Sequence, residues 1–290
     1  MTYPSFCPNT QCTEHKNPTE GFFIKKGYYK PKHNHQPVPK YLCKTCKKYF
    51  STSTFKEDKG QHRPELNQEL FKLLVSGVSQ RRAAKITGCS KRTVDKKLKY
   101  LALQSEKQHF EATKNKTFET SCIQVDELET YEHTKCKPLS VAIAVRHKTG
   151  EILGMEVGKM PAKGPLATIG ATRYGWTTDE RPRAFNRLML RIRPIVKSTI
   201  TFKSDSHNSY SKWITSHFPH ATLEKFVRPK LPAGSKKPFD PLFKVNNTCA
   251  KLRNDLARLG RKTWCSTKNQ RSLQNHLWLY IAWNNGYLIK

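Results

Sequence analysis

Two close cysteine pairs constrain the first part of this chain more than any other feature. Cys7-Pro8-Asn9-Thr10-Gln11-Cys12 is one, and Cys43-Lys44-Thr45-Cys46 is the other. Each pair can present two thiolates from a single turn, and two such turns complete a tetrahedral Zn²⁺ site. Four protein ligands leave no open position, so a metal held there is structural. Between the pairs, Phe22 to Tyr41 is basic and aromatic and reads as a hairpin. Tyr49-Phe50-Ser51 after the second pair reads as a further strand. A module this short cannot bury enough apolar surface alone, so the metal carries its fold. His15, His33 and His35 read as surface residues rather than ligands. The nine cysteines are an odd number, which suits metal ligands plus free thiols better than a disulfide framework.

The pattern then becomes helical. Leu66, Leu70, Phe71 and Leu74 recur at helical spacing before Gly77. Ser79 can cap a short second helix with Ala83, Ala84 and Ile86 inward. Thr87-Gly88-Cys89 makes a tight turn, and Ser90 caps a third helix with Val94, Leu98 and Leu101 inward. Helix, glycine-containing turn, helix is the pattern of a helix-turn-helix. The outward face of its last helix offers Lys91, Arg92, Lys96 and Lys99, suited to phosphates and base edges. Gln104 to Thr117 reads as a helix extension or linker.

Beyond residue 118 strands dominate. Val125-Asp126-Glu127-Leu128-Glu129-Thr130-Tyr131 follows Cys122 and Ile123 and places acids on a buried strand. Leu139 to Val145 and Ile152 to Gly158 follow, with a Lys-Thr-Gly turn between them, predicting an antiparallel meander. Pro161 to Pro182 reads as irregular. A helix near 183–193, a strand Thr199–Asp205, a helix near 210–218, a strand Ala221–Val227 and two further helices complete the reading. Clustered acids need a reason in a chain with 53 Lys+Arg against 22 Asp+Glu and a net charge of +31. A divalent cation, Mg²⁺ or Mn²⁺, supplies one. The cationic surplus predicts a polyanionic partner, most simply nucleic acid. No leader-type apolar region or membrane-length apolar run is present, which predicts a cytoplasmic, non-membrane protein.

Read together, these pieces resemble a known family. The order is the Cys43-Lys44-Thr45-Cys46-Lys47-Lys48-Tyr49-Phe50 knuckle, a helix-turn-helix, Val125-Asp126-Glu127, and Ser204-Asp205. Asn246-Asn247 then leads into Leu252-Arg253 and Arg258-Leu259-Gly260-Arg261-Lys262-Thr263. Over nearly the whole chain this is similar to bacterial DNA transposases of the insertion-sequence-one family. The resemblance implies a multidomain chain: a zinc ribbon (1–58), an all-α helix-turn-helix domain with linker (59–118), and an α/β ribonuclease-H-like, integrase-type catalytic domain (119–290). In that fold the first and fourth strands are neighbours, so Asp126 and Asp205 are expected to converge as Mg²⁺ or Mn²⁺ ligands and catalytic acids. Asn246 stands where the family has its third catalytic residue, a glutamate. Asn247, Glu127, Glu224 and Asp240 are the other candidates for the third position. Arg253, Arg258, Arg261 and Lys262 are expected along the DNA path. The implied partners are double-stranded DNA (element ends and target) and further copies of the chain. The implied activity is metal-dependent cleavage and strand transfer at terminal inverted repeats, in the bacterial nucleoid. The alternatives are a catalytically inactive DNA-binding derivative that regulates transposition, or a ribonuclease-H-like nuclease.

Overall fold

The chain separates at Leu66. The computed structural model describes residues 4–30, 36–56, 58–59, 61–114, 121–196, 199–227, 239–260 and 263–287. It divides into a unit Met1–Leu66 and a unit Asn67–Lys290.

In the first unit a single helical turn, α1 (Thr13–Lys16), precedes β1 (Phe23–Tyr29), β2 (Val38–Cys43) and β3 (Tyr49–Ser51). The strands form an antiparallel sheet in the order β1-β2-β3. Strand alternation puts Phe23, Tyr41, Cys43 and Phe50 on one face. There they pack with Phe22 and the buried thiols of Cys7 and Cys12. Gly27, at φ +80°, sits where the β1–β2 register slips between Lys25 and Tyr28. That left-handed bend is one glycine adopts without strain. His33 and His35 lie outside the described residues.

From the boundary residue Leu66 onward come α2 (Leu66–Leu74), α3 (Gln80–Ile86) and α4 (Lys91–Lys114), which open the second unit. The Ser79 hydroxyl accepts from the Arg82 N–H at 3.3 Å, and the Ser90 hydroxyl from the Thr93 N–H at 3.1 Å. Both serines thus satisfy an otherwise orphaned donor at a helix start. Val94, Leu98 and Leu101 are buried, as their spacing predicts. Ile86 is not: it is exposed, and Ala83 and Ala84 alone carry the inner face of α3. With so short a helix, two small residues suffice to seat it on α4. Helix α4 runs on to Lys114, with Ser105, His109 and Thr113 buried. It packs along the last helix of the chain, so these helices share one unit with the sheet that follows.

That sheet comprises β4 (Cys122–Tyr131), β5 (Pro138–Arg146), β6 (Ile152–Lys159), β7 (Thr201–Asp205) and β8 (Thr222–Phe226), in the order β6-β5-β4-β7-β8. The first three form the expected antiparallel meander, and β7 and β8 join parallel to β4. Helices α6 (Arg181–Ile192) and α7 (Asn208–Thr215) cover one face, where Ile123, Val125, Ala144, Phe185, Leu188, Phe202 and Ile214 form the core. α6 approaches closely because Gly154 and Gly158 lie beneath it. A Cβ on Gly154 would sit 2.8 Å from the Leu188 side chain, and one on Gly158 2.9 Å from the Glu180 carbonyl. Glu156, buried between those glycines, pairs with Arg187 and Arg191 of α6. The stretch from Pro161 to Pro182, read as irregular, contains α5 (Pro165–Tyr174). Its glycines and prolines obscure it in the sequence. Yet Pro165 sits in the first turn, where a missing N–H costs nothing, and Gly170 lets the backbone meet Cys136.

Helices α8 (Phe243–Asp255) and α9 (Gln270–Asn284) follow. α9 closes the free edge of β6 with side-chain amides. Gln274 accepts from the Val157 N–H at 2.9 Å and donates to the Met155 carbonyl at 2.8 Å. Asn285 does the same for Ile152, at 3.0 and 2.9 Å. An exposed strand edge would otherwise invite pairing with another chain. Among the described residues no helix is long and apolar enough to cross a membrane.

Candidate metal centres and nucleic-acid interface

The sulfurs of Cys7, Cys12, Cys43 and Cys46 all lie within 4.8 Å of one another. Cys7 Sγ is 3.6 Å from Cys46 Sγ, and Cys12 Sγ is 3.9 Å from Cys43 Sγ. Four sulfurs at roughly 2.3 Å from a shared tetrahedral Zn²⁺ stand about 3.8 Å apart, so the set fits a structural zinc. Backbone N–H groups of Asn9, Glu14 and Lys48 face the sulfurs of Cys7, Cys12 and Cys46, each two residues along. Such donors stabilise thiolates and orient them. Burial pushes the Cys7 thiol up to about 12. Burial acts in the same sense on Cys46, but donors from Lys48 and Asn9 and the neighbouring thiols bring it down to about 6. Glu14 ties the two turns together: its carboxylate accepts from the Thr19 N–H at 2.7 Å and from the Thr45 hydroxyl at 3.1 Å. His15 is no ligand here; its Nδ1 sits 2.6 Å from the Cys7 carbonyl oxygen.

The acids of the second unit are positioned by the sheet. β4 pairs with β7 in parallel at Cys122↔Thr201, Ile123↔Phe202 and Gln124↔Lys203. Continued by two residues, that register sets Asp126 opposite Asp205, on strands roughly 4.8 Å apart where paired. Both fall on the face away from α6 and α7. Gln124, two residues before Asp126 on this face, docks α8. Its side-chain oxygen accepts from the Val245 N–H at 2.8 Å, and its amide nitrogen donates to the Pro241 carbonyl at 2.7 Å. The amide thus satisfies one of the orphan donors in the first turn of α8. Val245, Thr248 and Leu252 are the buried residues of that helix. The Asp126 carboxylate accepts from the Glu127 N–H, and the Asp205 carboxylate from the His207 N–H at 3.1 Å.

Asn246 lies in the second turn of α8. Its amide nitrogen donates to Asp240 Oδ2 at 2.7 Å, and Asp240 Oδ1 accepts from the Leu242 N–H at 2.9 Å. Cys249, one turn further along, is an α8 residue on which the Asp126 charge acts. Burial first and then the Asp126 charge push its thiol up to about 12, with Arg253 opposing. Neither Gln124 nor Cys249 stands out in the sequence. Alternation from Asp126 could have found the first, and helical spacing from Asn246 the second.

Glu127 points to the opposite face, as alternation predicts. It accepts from the Ser140 hydroxyl at 2.5 Å and the Tyr210 hydroxyl at 3.4 Å. Burial, then the charges of Glu127, Asp126 and Asp205, push the Tyr210 hydroxyl far above its ordinary range. Glu127 bonds to this tyrosine, whereas Asp126 and Asp205 act on it through their charge. Glu224 pairs with Lys203 at 3.3 Å, and Asn247 lies beside Asn246 on α8.

Of the cationic residues, Lys91, Arg92, Lys96 and Lys99 are exposed on α4, with Lys91 paired to Asp95 at 3.1 Å. Arg253 lies on α8. Arg258 turns inward instead. One of its terminal nitrogens donates to the Ser272 hydroxyl at 3.2 Å, and burial draws its guanidinium down to about 10. Arg261 and Lys262 lie outside the described residues. No protein-family model matches the chain, and no curated protein matches it.

Proposed function

We propose that this protein is the DNA transposase of an insertion sequence. It binds terminal inverted repeats and performs Mg²⁺- or Mn²⁺-dependent DNA cleavage and strand transfer. The observation that carries the reading is the parallel β4–β7 register, which sets Asp126 beside Asp205 on the face where α8 is docked. The order β6-β5-β4-β7-β8, three antiparallel strands then two parallel, is the one expected of a ribonuclease-H-like core. The net charge of +31 suits a DNA substrate. The cysteine unit serves as a zinc ribbon, and α3 with α4 as a helix-turn-helix whose exposed Lys91, Arg92, Lys96 and Lys99 meet DNA. Working as oligomers, these modules deliver the element ends to the acids.

Asp126 and Asp205 would hold a catalytic Mg²⁺ or Mn²⁺ through hard oxygen ligands. Such an ion would supply activation of the attacking water or 3′-hydroxyl and stabilisation of the leaving oxygen. Asn246 would offer its amide oxygen as the third ligand, its amide nitrogen being anchored on Asp240. A neutral third ligand leaves one less negative charge at the metal and weakens its binding.

The test is cleavage and joining of labelled element-end DNA with Mg²⁺ or Mn²⁺. The wild-type chain yields joined products, while Asp126→Ala and Asp205→Ala yield neither cut nor joined strands. Retained activity in both variants would remove the site. Cut ends without joining would identify a nuclease. A second reading is a catalytically silent DNA-binding regulator, favoured by the neutral Asn246 in the third position. It predicts salt-sensitive DNA binding without metal-dependent chemistry.

A further inference from the structure

A cleft of about 410 Å³ opens where the α2–α3 turn meets the C-terminal end of α8. It lies beyond the Asp126 face, yet α8 connects the two: Arg253 lines the cleft and also acts electrostatically on Cys249. Its volume falls within the range of ligand clefts, roughly 300–1,000 Å³. Arg82 from α3 and Arg253 from α8 supply its cations, and among the described residues no acidic side chain lines it. The adjacent Asp255 is engaged elsewhere: it accepts from the Tyr280 hydroxyl at 3.0 Å and from the Asn254 amide at 2.8 Å.

The remaining wall is suited to a flat ring. Trp264 lines the cleft and is 75% exposed. Tryptophan so exposed beside two arginines leaves unused one of the largest stacking faces in the molecule. The lining carries no side chain at two further positions. A Cβ on Gly77 would stand 3.4 Å from the Asn254 carbonyl, and one on Gly260 3.5 Å from the Arg253 carbonyl. Gly77 has φ +74°, and its N–H donates to the Asp255 carbonyl at 2.6 Å, which fixes the turn against the end of α8. The Ser79 hydroxyl, also in the lining, is held by the Arg82 N–H. The cleft therefore offers cations for an anion, an indole for a planar ring, and a rigid floor.

We infer that this cleft seats one unpaired nucleotide of a DNA strand, its phosphate between Arg82 and Arg253 and its base stacked on Trp264. The inference rests on the DNA-handling function proposed above and adds to it a site for a displaced base. A fully paired duplex keeps its bases stacked on one another and cannot present a ring to Trp264. A strand with an unpaired base can, and stacking on an aromatic side chain tolerates any base.

The test uses the full-length protein and two DNA duplexes of identical sequence, one fully paired and one carrying a single unpaired 2-aminopurine nucleotide. The unpaired duplex binds tighter, and its fluorescence is quenched on binding. Trp264→Ala abolishes the quenching and loses affinity for that duplex by roughly tenfold, with little change for the paired one. Trp264→Phe restores most of the preference. Arg82→Gln weakens binding of the unpaired duplex and lowers its salt slope by about one. Equal binding of both duplexes by wild type and Trp264→Ala overturns the cleft assignment and leaves the transposase reading intact. Binding of neither duplex overturns both. Displacement of the unpaired duplex by free deoxyadenosine monophosphate at a similar concentration shows that the cleft takes a free nucleotide, which overturns the strand assignment.

Discussion

The cysteine cluster and the acidic face are two answers to holding a cation, and they are built in opposite ways. In the first unit the ligands come as two pairs, each within one short turn, and the surrounding aromatic core is small. The metal there substitutes for buried area. In the second unit a large core supports the sheet, and the β4–β7 register, continued by two residues, sets Asp126 opposite Asp205. On the proposed function a metal there would add chemistry to a fold whose core does not depend on it. Metal removal should therefore unfold one region and silence the other.

The largest effect is expected in the first unit. Chelation of zinc, or Cys43→Ser, removes metal binding that contributes on the order of 10 kcal/mol in small zinc modules. Limited proteolysis should then cleave within residues 1–66 while a fragment beginning near Asn67 survives. Survival of both units would show that the aromatic cluster folds unaided. Next in size, Asp126→Ala and Asp205→Ala should each lower strand transfer by on the order of 10³ or more, about 4 kcal/mol in the barrier. Their urea midpoints should match the wild type, because the acids do not hold the sheet together. A loss of stability equal to the loss of activity would break the contrast.

The third prediction concerns the docking of α8. Gln124→Ala removes its hydrogen bonds to Val245 and Pro241 and leaves two buried backbone groups unpaired. That costs about 1–3 kcal/mol, measurable by urea denaturation, with activity falling further because α8 loses its seat beside Asp126. An effect of similar size is a pH dependence. His276 is fully buried against the Leu74 carbonyl, at 2.7 Å from its Nε2. Burial first, then Arg258, lowers it to about 3 despite that hydrogen bond. Its folded value is thus below its unfolded value near 6.5. Stability is complete above that unfolded value and is lost as pH falls toward the folded one. Between pH 7 and pH 5 the loss is about 2 kcal/mol, and His276→Gln should abolish that part of the acid sensitivity in denaturation curves.

The same contrast explains what could be read from sequence. The four cysteines were legible because turn geometry ties ligand spacing to metal geometry within a few residues. Alternation and helical spacing located most strands and helices, since those periods are local properties. The strand order, and with it the adjacency of Asp126 and Asp205, required a family resemblance, because no local pattern states which strands become neighbours. Helix α5 was hidden by Gly164, Pro165 and Gly170, residues that act there as helix start and close contact rather than as breakers. Ile86 and Arg258 took the opposite environments from those their residue types suggest. One sits on a helix that two alanines can anchor, and the other bonds to Ser272. The roles of Gln124, Cys249 and Gln274 depend on which element packs against which, and no pattern along the chain encodes that.

The central claim is that Asp126 and Asp205 jointly hold a divalent cation, and Mn²⁺ binding monitored by electron paramagnetic resonance tests it most directly. Zinc-loaded, full-length protein bound to element-end DNA would be titrated with Mn²⁺. The account predicts a bound-Mn²⁺ signal in the wild type that is lost in both Asp126→Asn and Asp205→Asn, with DNA affinity maintained. Bound Mn²⁺ persisting undiminished in either variant would contradict it.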